Sequence, residues 1–259
     1  MIEQILSVFQ PISTIGVFMI IWIAVMISVP VVRWIGGEGA EHIGIAAGVL
    51  AQVAAVIAAL GSAYGWYALI VIVAVPLIGW ASEVLGSKTG FPFGSYHYTD
   101  VLQPQVADVP VLIPLAWLMM MPPAWAVGVA IAPSSPVLQW AIAAAAFAAW
   151  DVYLDPMMVS WDFWRWKKCG LYEGIPFVNF VGWFFVAFAI TALMSIFGGV
   201  IGVPLVAGVP TGPLLLVFLV TWLLMFVGQM AFWRLRVSAV AGFVAMGVFV
   251  ALLLTTVGL

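Results

Sequence analysis

The sequence predicts an all-α fold, a polytopic transmembrane helix bundle of about eight spans, and three observations carry that reading. Only 7% of the 259 residues are charged while 66% are hydrophobic, whereas a soluble globular chain carries about 25% charged residues. Mean hydropathy is +1.25. Apolar runs long enough to cross a hydrocarbon core of about 30 Å recur along the whole chain, and no composition shift marks a linker. One transmembrane domain over residues 1–259 is expected.

The runs lie near 12–32, 43–60, 64–85, 110–132, 137–158, 175–197, 213–232 and 237–258. The first is too long for a signal-peptide core and lacks a basic leader, so it reads as mature structure. The second is short. The stretch from Ile196 to Pro213 is uncharged and rich in Gly, Val and Pro, which suits an interfacial or re-entrant segment. Orientation follows from the rule that Lys and Arg gather in short cytoplasmic loops. Arg33 falls in the first loop, Lys88 in the third, Arg165, Lys167 and Lys168 in the fifth, and Arg234 and Arg236 in the seventh. The odd loops are thus predicted cytoplasmic, with both termini outside. The acids Glu38, Glu41, Glu83, Asp100, Asp108, Asp151, Asp155, Asp162 and Glu173 follow the same partition, as do His42 and His97; only Glu3 does not. Polar chemistry is therefore expected in a cavity reached from the cytoplasmic half.

Several classes are disfavoured by what the sequence lacks. A single cysteine, Cys169, rules out an internal disulfide or a cysteine-rich metal site. Two histidines are too few for the ligand set of a membrane di-iron oxygenase, and neither a dinucleotide fingerprint nor a P-loop is present. All three lysines lie in loops, against a retinal Schiff base within the bundle. Net charge is −3 with no basic block, so nucleic acid is not an expected partner. Acid-base chemistry on an apolar substrate, or transport, remains.

Four stretches hold the residues for such chemistry. The third span ends in Trp80-Ala-Ser-Glu83, placing a carboxylate about one turn inside the boundary with Trp80 on its face. At a helix centre such a group costs about 2.5 to 3.5 kcal/mol on insertion scales, so Glu83 either faces the interior or reaches the interface and pairs with Lys88. In the fifth span, which also carries Tyr153, Asp151, Asp155 and Asp162 fall at i, i+4 and i+11 on one helical face, and Asp162 reads as an interfacial residue paired with Arg165 or a neighbouring Lys. Asp151 and Asp155 would repel as two anions, which favours one of them holding a proton; a buried, protonated acid is a candidate general acid. Pro156 frees a carbonyl near Val152 for another donor. The third loop, from Gly86 to Asp100, is punctuated by Gly and Pro and carries Tyr96, His97 and Tyr98; it suits either an ordered cover over a cavity or an interfacial aromatic belt. Trp161, Trp164 and Trp166 read as belt residues. Asn179, one turn into the sixth span, can reach a neighbouring carboxyl group or simply pack.

The segments Gly90-Phe-Pro-Phe-Gly-Ser-Tyr-His-Tyr-Thr-Asp100, Pro110-Val-Leu-Ile-Pro-Leu-Ala-Trp117, Trp150-Asp-Val-Tyr-Leu-Asp-Pro156 and Gly174-Ile-Pro-Phe-Val-Asn-Phe-Val-Gly-Trp183 resemble, in this order, the CruF-type carotenoid hydratase family. The resemblance runs from about Trp80 to Trp183. It implies addition of water across the terminal 1,2 double bond of an acyclic end group, as in lycopene, γ-carotene or bisanhydrobacterioruberin. It also implies an integral protein of a prokaryotic cell membrane that takes its carotenoid from the bilayer and uses water, with no cofactor and no metal. The resemblance carries no established catalytic residue, so roles come from the chemistry. Asp155, backed by Asp151, suits the acid, with Glu83 as the opposing carboxylate that orients or deprotonates water. Trp80, Tyr96 and Tyr153 offer ring faces to a carbocation, a contact that contributes about 2 kcal/mol or more when desolvated. Tyr98, His97 and Asn179 complete a water-holding shell. Acid and base remain interchangeable between the third and fifth spans, and oligomeric state is not legible. A carotenoid cyclase passing through the same cation, a prenyltransferase using Asp151 and Asp155 for magnesium diphosphate, and a proton-coupled transporter are the alternatives.

Overall fold

The computed structural model describes residues 13–256, so Glu3 and both chain ends lie outside the described residues, as does the side chain of Glu38. The chain is an all-α integral membrane protein. Among the described residues, seven continuous helical stretches are long and apolar enough to cross a membrane. One of them, Gly39–Thr89, has 51 residues, which at 1.5 Å per residue spans about 76 Å, far more than a hydrocarbon core. It is broken at Gly65–Tyr67, where Gly65 adopts φ 58° and ψ −132°. Tyr64 there bonds the Leu205 carbonyl, whereas Glu41 and Glu83 are held at the opposite end of the bundle by Arg33 and Tyr98. The stretch therefore crosses twice, as the sequence expects, and the second span is longer than its apolar run suggested.

The crossing helices are α1 (Thr14–Gly37), α2 (residues 39–64), α3 (Ala68–Thr89), α4 (Leu112–Ile131), α5 (Pro136–Ser160), α6 (Phe177–Ile201), α7 (Thr211–Phe232, its last turn wound as a π-helix) and α8 (Arg236–Thr256). Gly37, at φ 70° and ψ −162°, separates α1 from α2; a backbone so far from helical values suits a residue without a Cβ. The buried Leu205, Val206 and Val209 tuck the α6–α7 connection against the bundle, in keeping with the expected uncharged interfacial segment.

Apolarity on every face is the signature of helices that meet lipid on one side and each other on the rest. Leu69, Val73 and Leu77 of α3 and Val237, Val240, Val244 and Val248 of α8 form exposed stripes at helical spacing. The core lies opposite, centred on α4, which packs against α2, α3, α5, α7 and α8 and buries Trp117, Met119, Met120, Met121 and Trp125. Trp125 Nε1 donates to Thr191 Oγ1 at 2.9 Å, tying α4 to α6.

Contacts collect the long loops at one end. Arg33 pairs with the buried Glu41 at 2.7 Å, and Trp233, beside Arg234, donates to the same carboxylate at 2.6 Å. His42 packs on Phe163. In the α3–α4 loop, β1 (Tyr96–Tyr98) pairs antiparallel with β4 (Trp164–Trp166) of the α5–α6 loop; a second hairpin joins β2 (Gln105–Val106) to β3 (Val109–Pro110). Every Lys and Arg lies at this end. A cysteine introduced at exposed Ser134, in a Cys169→Ala background, is expected to react with a membrane-impermeant maleimide from the side opposite to native Cys169. Labelling of both from one side contradicts the eight-crossing path.

Candidate functional site

The site is built where the β1–β4 ribbon closes over α3, α5 and α6. The ribbon register pairs Tyr96 with Trp166, His97 with Arg165 and Tyr98 with Trp164. Alternate residues of a strand face opposite sides, so the four outer positions of this ladder turn two tyrosines and two tryptophans toward the helices. His97 and Arg165 face away and are exposed.

Glu83 is 3% exposed and takes three donors: Tyr96 Oη at 2.5 Å, Tyr98 Oη at 2.9 Å and Trp117 Nε1 at 3.3 Å. It does not pair with Lys88. Gly79 and Gly86 flank it at i−4 and i+3 on the same face of α3. A Cβ at Gly79 would stand 2.5 Å from Trp117 Cγ, and one at Gly86 2.6 Å from the Phe93 ring. The glycines thus admit the aromatic groups that reach the carboxylate. Burial and the Glu83 carboxylate push the Tyr96 and Tyr98 hydroxyls well above their usual range, which keeps both as donors at neutral pH.

Across the chamber, Asp155 Oδ1 accepts from Trp164 Nε1 at 2.7 Å and Trp166 Nε1 at 3.2 Å. Its Oδ2 and the Oδ2 of Asp151 each accept from Asn179 Nδ2 at 2.7 Å. One amide group therefore bridges both carboxyl groups from α6. Asp151 Oδ1 is buried without a partner among the described residues. Pro156 has the foreseen effect: the freed Val152 carbonyl accepts from Tyr172 Oη at 2.8 Å.

Glu83, Asp155, Asn179, Tyr96, Tyr98, Trp164 and Trp166 line a chamber of about 30 Å³, roughly one water molecule, floored by Phe93 and Trp183. Ile113, Ala116, Leu154 and Trp164 also line a second cavity of about 320 Å³, whose walls are almost wholly apolar. The small acidic space therefore abuts the side of a larger oily one.

The structure brings together six sequence-derived site residues, Glu83, Asp151, Asp155, Tyr96, Tyr98 and Asn179, with Asp151 behind the chamber wall. It separates three others. Trp80 donates to the Val106 carbonyl at 3.2 Å, outside the chamber. Tyr153 lies on the far face of α5, where its ring covers Gly242 and its hydroxyl bonds the Trp222 carbonyl. His97 points outward because strand alternation sends it away from its two tyrosine neighbours. Asp162, expected at the interface beside Arg165 or a lysine, lies beyond the end of α5 at Ser160 and pairs with Arg165 at 2.5 Å, which holds its carboxyl below the usual range.

Trp164 and Trp166 reverse the belt reading, since both indoles serve Asp155. The signal available was the alternation Trp164-Arg165-Trp166, which mirrors Tyr96-His97-Tyr98. Trp117 and Trp183 were also missed; their rings stack 4.8 Å apart beneath the chamber. Replacing Asn179 by Leu is expected to leave two buried carboxyl groups without their shared donor, each unsatisfied group costing about 1 to 3 kcal/mol. Thermal unfolding in detergent should show a clear fall in midpoint, and an unchanged midpoint contradicts the bridging role.

A family described as "Carotenoid biosynthesis protein" matches residues 39–250. The bisanhydrobacterioruberin hydratase of Haloarcula japonica is 28% identical over 116 residues, covering 43% of this chain and 39% of that protein. The match thus spans about two fifths of the relative's length. No solved structure matches the chain. The chain belongs to the carotenoid biosynthesis protein family.

Proposed function

We propose that this protein hydrates the terminal double bond of an acyclic carotenoid, and one observation carries the reading: carboxyl groups face each other across a water-sized chamber that abuts a dry cavity. The cavity suits a polyene arm. The chamber suits the proton and the water. Asp155, supplied by the carboxyl pair it forms with Asp151, protonates C2 of the alkene; the π electrons become the new C–H bond and leave a tertiary cation at C1. Water adds to C1 as Glu83 accepts its proton, giving the tertiary alcohol. Proton return from Glu83 to the aspartate pair through Tyr96, Tyr98 and water completes the cycle.

Tyr96, Tyr98 and Trp117 fix the Glu83 side chain in place, as the indoles and Asn179 fix that of Asp155. Tyr96, Trp164, Trp166 and Phe93 offer ring faces to the cation. Asp155 and Glu83 are the catalytic residues in this scheme, Asp151 and Asn179 positioning residues. The odd loops are proposed to face the cytoplasm, which opens the site to water on that side. A cyclase would use the same acid but must exclude water from the cation; the carboxyl, amide and hydroxyl groups set into the chamber's apolar walls favour hydration.

Co-expression with a lycopene-producing pathway in a colourless host is expected to yield a pigment heavier by one water. Asp155→Asn should lower turnover by about two to four orders of magnitude, the range for a lost general acid, with expression near normal. Glu83→Gln should lower it comparably. An isomer of unchanged mass overturns hydration in favour of cyclisation, and full activity in Asp155→Asn overturns the assignment of the acid.

A further inference from the structure

The larger cavity is too short for a whole carotenoid. Its tallest wall, on α7, runs from Thr221 to Phe232, a rise of about 17 Å, whereas a full-length acyclic carotenoid matches the roughly 30 Å thickness of a hydrocarbon core. One arm enters, and the rest of the chain has to leave through a wall. The exposure of the lining residues identifies that wall. Among the described residues that line the cavity, Ile27 of α1 is 57% exposed, and Val227 and Phe232 of α7 are 48% and 38% exposed; the others are buried or half-buried.

The two sides of this opening stand at comparable depth. Trp34 of α1 and Phe232 meet edge to face with ring centroids 6.0 Å apart. From that contact, Ile27 lies about 10.5 Å back along α1 and Val227 about 7.5 Å back along α7. On its other flank α1 packs closely on α2, where a Cβ at Gly48 would stand 2.8 Å from Met26 Sδ and one at Gly44 3.6 Å from Val29. The loop end of the gap is shut. Glu41 accepts from Arg33 Nη1 at 2.7 Å and from Trp233 Nε1 at 2.6 Å, which ties the end of α1 to the residue that follows α7. Trp161 and Trp233, packed edge to face at 5.5 Å, stand where the cavity meets a polar space beside Arg33 and His42. The opening therefore gives onto lipid, and its lips are apolar. The wall shared with the acids belongs to α4, α5 and the ribbon, none of which borders the opening. A chain threaded between α1 and α7 thus presents its end group to the chamber and leaves its remaining length behind.

We propose that the gap between α1 and α7, lined by Ile27, Val227 and Phe232, is the lateral portal for the polyene and holds the part of the chain that stays outside the cavity during reaction. This rests on the polyene reading of the cavity but not on hydration.

Occupancy of cavity and portal can be read separately. Trp150, Trp161, Trp164 and Trp233 line the cavity, so quenching of tryptophan fluorescence in the detergent-solubilised full chain reports lycopene inside it. A nitroxide attached at Val227→Cys in a Cys169→Ala background reports the portal, and one at Val240→Cys, on the exposed stripe of α8, reports a lipid face elsewhere. Lycopene is expected to quench the tryptophans and to slow the α7 label but not the α8 label. An acyclic monoterpene, short enough to lie wholly inside, should leave the α7 label mobile. Filling the gap with Ile27→Phe and Val227→Phe together should weaken lycopene binding about five- to hundredfold, the range for side chains forced into a filled space, while Val240→Phe with Val244→Phe should leave it unchanged. The monoterpene should still raise the unfolding midpoint of the portal variant, which marks its cavity as intact; the labels, which need only cysteines at exposed positions, decide the matter where that variant fails to fold. Quenching without a change in the α7 label, or with an equal change on α8, overturns the portal alone. Absence of quenching in the wild type overturns the polyene reading and the portal with it, and product analysis of the co-expressed pigment decides hydration separately.

Discussion

Three buried carboxyl groups, Glu83, Asp151 and Asp155, have no cationic partner among the described residues, unlike the buried Glu41, and the arrangement around them follows from that. A hydrogen bond to a charged group contributes about 1.5 to 3 kcal/mol, whereas placing an acid at the centre of a membrane helix costs about 2.5 to 3.5 kcal/mol. Two donors therefore come close to offsetting one acid. Glu83 receives three and Asp155 receives three. None of these six contacts comes from Lys or Arg. Neutral donors hold the acids in place without forming a salt bridge that would quench their proton chemistry.

That requirement accounts for features that look unrelated along the chain. The β1–β4 ribbon brings two tyrosines and two tryptophans over the bundle from loops separated by two helices. Gly79 and Gly86 clear the α3 face so that Trp117, Phe93 and Tyr96 can approach it. Gly182 of α6 leaves room for the Pro92 carbonyl and the Phe93 ring, which seats the loop. The charged Arg33–Glu41 pair, by contrast, lies near the loop end, where it ties α1 and α2 to Trp233.

Much of this was legible in the sequence because membrane helices advertise themselves. Length and hydropathy gave the spans, and the confinement of Lys and Arg to alternate loops gave their alternation, so that even the continuous Gly39–Thr89 stretch was divided within a few residues of its break at Gly65–Tyr67. Asp151, Asp155, Glu83 and Asn179 stood out because a polar residue inside such a span needs a partner. Their partners did not stand out. Trp164 and Trp166 have the composition of an interfacial belt, and only the pairing of two distant loops turns them toward Asp155. Trp80 was drawn in by helical spacing from Glu83, which fixes angle along one helix but not which neighbouring helix lies opposite, and Tyr153 by its aromatic ring, although a position two residues from both Asp151 and Asp155 falls on the other face of the helix. His97 was drawn in by its chemistry, although strand alternation sets it outside.

The central claim is that a carboxyl proton is delivered to carbon inside the bundle and that water then captures the cation. Growth of the co-expressing cells in heavy water, followed by mass spectrometry and magnetic resonance of the pigment, tests it most directly. The account predicts one deuterium bonded to C2 for each hydroxyl gained at C1, with neither found when Asp155 is replaced by Asn. A hydroxyl gained without deuterium on the adjacent carbon would contradict it.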